Sequence, residues 1–120
     1  MSSLGIDIVE FNEIKEKLSD KFVKRILSDR ELEVYSKFSN EKRKLEYLAG
    51  RFAVKEAYTK VYKSFEVALN FKDVSVLNDE FGAPYIESAY KPSDELQVSI
   101  SHSKNYVVAI VMRNEKDDLY

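Results

Sequence analysis

The long stretch from residue 40 to residue 62 constrains the fold of this chain more than any other feature. It contains no proline and a single glycine, Gly50. Ser39 or Asn40 provides the N-cap that a helix prefers. A helix of this length, about 30 Å, needs other elements to cover its apolar side. Its apolar residues recur at spacings of three and four, which is typical of an amphipathic helix: Leu45, Leu48, Ala49, Phe52 and Ala53.

Two shorter helical segments precede this long helix. Helical spacing of apolar residues covers residues 11–27, with a break near Ser19. Ser28 and Glu31 then form a capping-box pattern, which predicts a short helix to about Phe38.

Strand patterns occupy the two ends of the chain. Residues 3–9 predict a strand with Leu4, Ile6 and Ile8 on one face and Val9 on the other. Residues 71–77, 85–86, 96–101 and 106–112 predict further strands, with a turn at 78–83, a loop at Pro92 and a hairpin link at 102–105. Strands and helices are segregated rather than alternating. We therefore expect an α+β fold in which an antiparallel sheet packs with the long helix.

Composition excludes several classes of protein. Lys and Arg number 19 and Asp and Glu 21, a net charge of −2, so a general nucleic-acid binder is not expected. The absence of Cys excludes disulfides, thiol catalysis and Cys-based zinc sites. No apolar run reaches the roughly 18 residues of a membrane span, and no signal-peptide pattern is present. We expect a single cytoplasmic domain over residues 1–120, with no membrane partner.

Two acids stand among apolar residues, where an unpaired charge is costly. On a helical wheel, Glu56 and Lys60 fall on the apolar face of the long helix, and Arg51 points away from it. Glu56 and Lys60 either form an ordinary ion pair across one helical turn or line a partly buried site. Asp7 lies in the first strand on the Gly5 and Val9 face. It is either solvent-exposed on an edge strand or paired, and Glu56 with a divalent cation would supply a partner.

Other polar residues are weaker candidates for a site. His102, the only histidine, follows a strand between Ser101 and Ser103, and such a histidine is more often a hydrogen-bonded loop residue than a catalyst. The three glycines are isolated, so phosphate-binding glycine loops are not expected. The basic cluster at residues 42–44 is either solvated or part of an anion site.

Three stretches occur in the order seen in one enzyme family. They are Gly-Ile-Asp-Ile-Val-Glu at 5–10, Leu-Ala-Gly-Arg-Phe-Ala-Val-Lys-Glu-Ala at 48–57 followed by Lys60, and Ser-Ile-Ser-His-Ser at 99–103. Together they resemble the bacterial holo-[acyl-carrier-protein] synthases, the small single-domain class of phosphopantetheinyl transferases. The resemblance covers almost the whole chain.

The resemblance implies a reaction and a set of site residues. The 4′-phosphopantetheine group of coenzyme A would be transferred to a serine hydroxyl of an acyl carrier protein, and adenosine 3′,5′-bisphosphate would leave. Asp7 and Glu56 would hold Mg²⁺, for which Mn²⁺ is an alternative, and Lys60 would act beside them. The nucleotide end of coenzyme A would be bound by four residues: Arg43, Arg51, His102 and Ser103.

The resemblance also implies a phosphopantetheinyl transferase fold in a homotrimer, with active sites between subunits. Two departures from the family pattern concern the surroundings of the site. Residues 62–66 replace a glycine-rich turn that is common in relatives. Glu13 stands where relatives often carry an arginine that meets the carrier protein, so docking would use other cations: Lys17, Lys21, Lys24 or Arg25.

Two other functions remain open at this stage. A Mg²⁺-dependent hydrolase would use the same two acids but would need further carboxylates for a second metal ion. A catalytically impaired trimeric binding module would keep the fold without turnover.

Overall fold

The structure, a computed structural model, describes residues 2–62, 69–90 and 95–114. The divergent segment at 62–66, apart from Tyr62, lies outside these residues, as do the loop at Pro92 and residues 115–120. Within the described ranges, no helix is both long and apolar enough to cross a membrane.

The helices follow the predicted boundaries closely. Helix α1 spans Phe11–Lys17, α2 spans Asp20–Ile26, α3 spans Asp29–Lys37 and α4 spans Glu41–Val61. The predicted break falls at the cap of α2, where the Ser19 side chain accepts a hydrogen bond from Phe22 N. Both halves of the predicted capping box form between Ser28 and Glu31. The N-cap of α4 is Asn40, whose side chain accepts from Arg43 N. These local predictions are therefore confirmed.

Five strands form two antiparallel sheets in the described part of the chain. Strands β1 (Ser2–Glu10), β4 (Glu95–His102) and β5 (Tyr106–Asn114) form a sheet in the order β1-β5-β4, and β2 (Val74–Asn78) pairs with β3 (Pro84–Ser88). The predicted α+β fold with antiparallel pairing is confirmed, although the strands divide between two sheets. The predicted strand at 71–77 begins later, because Phe71–Asp73 forms a short 3-10 helix capped by the Asn70 side chain.

Helix α4 packs directly against β1 and β5. A Cβ atom on Gly5 would lie 2.0 Å from the backbone oxygen of Ala57, a distance that atoms do not tolerate. Glycine therefore allows β1 to approach α4 more closely than any other residue would. The face of β1 that contains Gly5, Asp7 and Val9 is turned towards the helix. The other face is left exposed and carries Leu4, Ile6 and Ile8.

A buried ion pair between Lys55 and Glu31 joins α4 to α3. Lys55 and Glu31 have no exposed side-chain surface, and their charged groups contact each other. Lys55 Nζ also donates to the carbonyl oxygens of Ile26 (2.7 Å) and Phe71 (2.9 Å). Glu31 accepts from the backbone nitrogens of Ser28 and Val76. Burial lowers the pKa of Lys55, and the Glu31 carboxylate partly offsets this effect.

Candidate active site

Asp7, Glu56 and Lys60 lie together where β1 meets α4. Lys60 Nζ donates to Asp7 Oδ1 at 3.0 Å and to the carbonyl oxygen of Ile6 at 2.9 Å. The Asp7 side chain is 17% exposed and the Lys60 side chain 53% exposed. The close approach at Gly5 brings the strand and the helix near enough for this contact. Lys60 thus pairs with Asp7 across two elements, and the ordinary ion pair with Glu56 along the helix is not formed.

Glu56 is a half-buried acid whose pKa is shifted by burial and by the charges of its neighbours. Burial raises the pKa of Glu56, the negative charge of Asp7 raises it further, and Lys60 and Lys17 oppose the rise. None of the described residues donates a hydrogen bond to its carboxylate. Glu56 therefore has free oxygen lone pairs beside a second carboxylate, an arrangement that an added cation would stabilise.

This pair of acids fits a hard divalent cation. Mg²⁺ binds oxygen ligands, keeps several waters and takes one or two carboxylates from a protein. Within residues 2–62, 69–90 and 95–114, no third histidine or acid joins them in a metal-binding group. The donor set therefore suits one Mg²⁺ ion with open positions for a ligand. The described residues place no further acid beside this pair for the second metal ion that the hydrolase alternative needs.

The predicted nucleotide-binding residues line a second site. Arg43, Arg51 and His102 border a cavity of about 570 Å³ between α3, α4 and the ends of β2 and β4. His102 ends β4, and its Nδ1 lies 3.8 Å from Glu46 Oε2. Ser103 is exposed next to His102, and its backbone nitrogen donates to the Tyr106 carbonyl oxygen. The structure thus groups three of the four residues and leaves Ser103 outside the cavity lining.

Arg51 points away from the face of α4 that carries Glu56, as the helical wheel predicts. Its side chain is nevertheless buried and contacts the β2 strand. The wheel does not show this burial, because α4 is covered on two sides, by β1 and β5 on one and by the β2–β3 hairpin and α3 on the other. Burial lowers the pKa of Arg51, an effect that Tyr47 and Glu31 oppose.

The two groups of residues lie on different sides of α4. Arg51 and Glu56 are five positions apart, so their side chains leave the helix about 140° apart. Glu56 lies near Asp7 of β1, whereas Arg51 faces β2. Within the described residues, the cavity that Arg43, Arg51 and His102 border is therefore not lined by Asp7, Glu56 or Lys60.

Two cations of the basic cluster at residues 42–44 lie over aromatic rings. Arg43 lies over the ring of Phe38, with 5.4 Å between Cζ and the ring centroid, and borders the 570 Å³ cavity. Lys44 lies over Tyr35, with 5.3 Å between Nζ and the centroid. Both cations are therefore partly oriented by aromatic rings.

Comparison with known proteins identifies the family. A model of the 4′-phosphopantetheinyl transferase superfamily matches residues 3–111. This chain belongs to that superfamily. The holo-[acyl-carrier-protein] synthase of Acholeplasma laidlawii is 43% identical over 114 residues, which cover 95% of this chain and 97% of the relative. The synthase of Bacillus pumilus is 41% identical over 115 residues, covering 93% and 94%.

Solved structures of the superfamily share the fold. A Bacillus anthracis holo-(acyl-carrier-protein) synthase in complex with CoA (3′,5′-ADP) superimposes with a TM-score of 0.82 at 39% identity, covering 92% of this chain and 94% of that one. A Helicobacter pylori synthase in complex with coenzyme A gives a TM-score of 0.77 at 28% identity, covering 92% and 99%. The family inferred from the three motifs and its enzyme class, phosphopantetheinyl transferase, are confirmed.

Sequence reasoning did not find all the residues that shape the two sites of this transferase. In the sequence, Lys55 stands out only as part of a motif, and Glu31 only as a capping residue. Tyr47, whose ring lies 4.0 Å from Arg51 Cζ, and Asn78, which bonds the same guanidinium, were also missed. The signal for Lys55 was a lysine next to Glu56 in an otherwise buried turn of the helix, but its partner lies 24 residues away.

Proposed function

We propose that this chain transfers the 4′-phosphopantetheine group of coenzyme A to a serine hydroxyl of an apo acyl carrier protein and releases adenosine 3′,5′-bisphosphate. The observation that carries the proposal is the junction at Gly5, where Asp7, Glu56 and Lys60 meet. The named relatives act on acyl carrier protein, and the B. anthracis relative binds CoA (3′,5′-ADP).

In this proposal Asp7 and Glu56 hold Mg²⁺, with Mn²⁺ as an alternative. When bound, the ion would neutralise charge on the pyrophosphate of coenzyme A. Lys60 contributes a second positive charge and a proton donor for the oxygen of the departing nucleotide. Glu56, or a water beside it, accepts the proton of the attacking serine hydroxyl. The serine oxygen bonds to the phosphorus that carries the pantetheine arm, and the bond from that phosphorus to the departing nucleotide's oxygen breaks.

The cavity bordered by Arg43, Arg51 and His102 takes the nucleotide end in this proposal. Arginine suits the task because its planar group meets phosphate oxygens in pairs. The carried-over role of Ser103 stays a prediction from the family resemblance.

A homotrimer would join the two sites. The acids and the nucleotide cavity face different sides of α4, so a neighbouring subunit would have to bring its cavity to the acids. The exposed face of β1 offers an apolar surface for such a contact, because Leu4, Ile6 and Ile8 are each more than half exposed. Tyr106 and Ile110 on β5 add exposed apolar area.

The acyl carrier protein would dock beside Glu56 on the surface of α1 and α2. Lys17 is close enough for its charge to act on Glu56. Arg25 and Glu56 border one cavity of about 490 Å³, together with Phe22 and Phe52. Cations and aromatic rings at this position suit a partner with acidic and apolar side chains. At the start of α1, the negative charge of Glu13 would repel acidic side chains of the carrier protein.

A mass measurement tests the transfer. The protein is mixed with coenzyme A, Mg²⁺ and a competent apo acyl carrier protein, and the carrier is weighed. We expect a gain equal to the phosphopantetheine group, lost when the metal is chelated. Asp7→Asn and Glu56→Gln should remain folded and lose metal-dependent turnover. A carrier without mass gain, alongside measurable binding of coenzyme A, would instead indicate the impaired binding module.

Light scattering tests the oligomer. We expect a mass of three subunits at micromolar concentration. A monomer mass that persists when coenzyme A is present would contradict a site shared between subunits.

A further inference from the structure

The guanidinium group of Arg51 is held by the β2–β3 hairpin. Its Nε donates to the Val76 carbonyl oxygen at 3.2 Å, and its Nη2 donates to Asn78 Oδ1 at 2.5 Å. The ring of Tyr47 covers one face, with 4.0 Å between Cζ and the ring centroid. Two of the five N–H groups are thus used by the hairpin, and others stay available in the cavity that Arg51 borders.

Asn78 is itself fixed by the turn that follows it. Its Nδ2 donates to the Gly82 carbonyl oxygen at 2.9 Å. Gly82 has a φ of 84°, a conformation that glycine adopts without strain. Asp79 closes the same turn, because its Oδ1 accepts from the backbone nitrogens of Phe81 and Ala83. The Asn78 amide is therefore anchored on one side by the turn and bonds Arg51 on the other.

The environment of Asn78 argues for a role beyond packing. Asn78 is exposed, so its side chain contributes little to the core. Arg51, by contrast, is 8% exposed and depends on defined acceptors for its direction. A guanidinium group held in one orientation loses less entropy when it binds a phosphate, which strengthens binding and selectivity.

We propose that Asn78 is a positioning residue, which holds Arg51 in the orientation that recognises the 3′-phosphate of coenzyme A. The hairpin thereby sets the preference of the enzyme for coenzyme A over 3′-dephospho-coenzyme A. This inference rests on the proposed function, in which Arg51 binds the nucleotide end.

The test compares ligands that differ by one phosphate. Binding of adenosine 3′,5′-bisphosphate and of adenosine 5′-monophosphate is measured by calorimetry for the unmodified protein, Asn78→Ala, Arg51→Ala and the double variant. KM and kcat are measured in parallel for coenzyme A and 3′-dephospho-coenzyme A. Glu80→Ala is the matched control, because Glu80 is exposed in the same turn and does not contact Arg51. Thermal unfolding of each variant verifies the fold.

We expect Asn78→Ala to reduce the preference for the 3′-phosphate about three- to tenfold. This factor in the binding constant corresponds to the net free energy of one hydrogen bond. The KM for coenzyme A should rise while kcat and the KM for 3′-dephospho-coenzyme A change little. In the Arg51→Ala background, the further change to Asn78→Ala should have no effect on the preference, and Glu80→Ala should match the unmodified protein. These non-additive effects would separate positioning from a general loss of structure.

Two results would overturn the inference. One is an unchanged preference in Asn78→Ala, and the other is an effect of Asn78→Ala that persists in full without Arg51. Calorimetry keeps this test separate from the transfer reaction, because it needs no turnover. An inactive protein that still prefers the bisphosphate through Arg51 and Asn78 would refute the transfer and support the positioning role.

Discussion

Substitution of Lys55 by methionine tests whether the buried ion pair holds α4 to the rest of the fold. Lys55→Met removes the three hydrogen bonds of Nζ and leaves the Glu31 carboxylate buried without its counter-ion. Removal of one partner from a buried pair costs about 3–5 kcal/mol. Small domains have a free energy of unfolding of only about 5–15 kcal/mol. We therefore expect Lys55→Met to lose a large part of its stability.

Urea denaturation at one fixed protein concentration measures this loss. With a slope of about 2 kcal/mol per molar urea, the midpoint should fall by about 2 M. Lys60→Met is the matched control, since it makes the same change on the same helix at an exposed ion pair. That pair is worth only about 0–1 kcal/mol, so the midpoint of the control should move by less than about 0.5 M.

A second variant separates the buried charge from lost packing. Lys55→Met combined with Glu31→Gln removes both charges and keeps an amide oxygen for the Ser28 or Val76 nitrogen. The double variant should therefore be more stable than Lys55→Met alone. Equal shifts for Lys55→Met and Lys60→Met would refute the structural role assigned to Lys55. Additive effects of the two substitutions would refute the coupling of the charges.

Three further predictions concern the site and the exposed sheet face. Gly5→Ala should destabilise the fold by about 1–3 kcal/mol, because the added Cβ meets the Ala57 oxygen, and should slow transfer by moving Asp7 from Glu56; an initial rate equal to that of the unmodified enzyme would contradict it. In metal-free protein, Glu56→Gln should raise stability at neutral pH, because the neutral amide avoids the cost of a charged group that is half-buried beside Asp7. The raised pKa of Glu56 means that the folded state binds this proton more tightly than the unfolded state, so the contribution of Glu56 to stability falls as pH rises from about 4.3 through the folded-state pKa. The melting temperature of Glu56→Gln should therefore rise relative to that of the unmodified protein between pH 4 and 8, and a constant difference would contradict this prediction. Ile8→Lys should lower the mass found by light scattering from three subunits to one, whereas Phe81→Lys, at an exposed apolar residue on the β2–β3 turn, should not.

Short-range sequence patterns predicted the helices well because the interactions that start and end a helix are local. The cap at Asn40, the break at Ser19 and the capping box between Ser28 and Glu31 each involve residues at most three positions apart. The same patterns located β1 and its two chemically different faces. They did not identify which face meets α4, since alternation of side chains does not specify the neighbouring element.

The candidate site was predicted only in part for a related reason. Asp7 and Glu56 were identified as acids in apolar surroundings, and their motifs led to the family. Lys60 was placed beside Glu56 along the helix, yet in the structure it bonds Asp7 on a different element. Pairing between residues more than fifty positions apart depends on the packing of β1 against α4, which no local pattern contains.

Helix α4 shows this division most directly. Its sequence determined that a long helix would carry charged residues at positions 51, 55, 56 and 60, among others, and their order matched one enzyme family. Tertiary structure decided what each of them does. The β2–β3 hairpin buries Arg51, Glu31 neutralises Lys55, and β1 brings Asp7 to Lys60 and Glu56. A charged side chain on a helix has the same local environment at each of these positions, and only the element packed against it determines whether it joins a buried ion pair, is held against a strand or keeps its oxygen atoms free of hydrogen bonds.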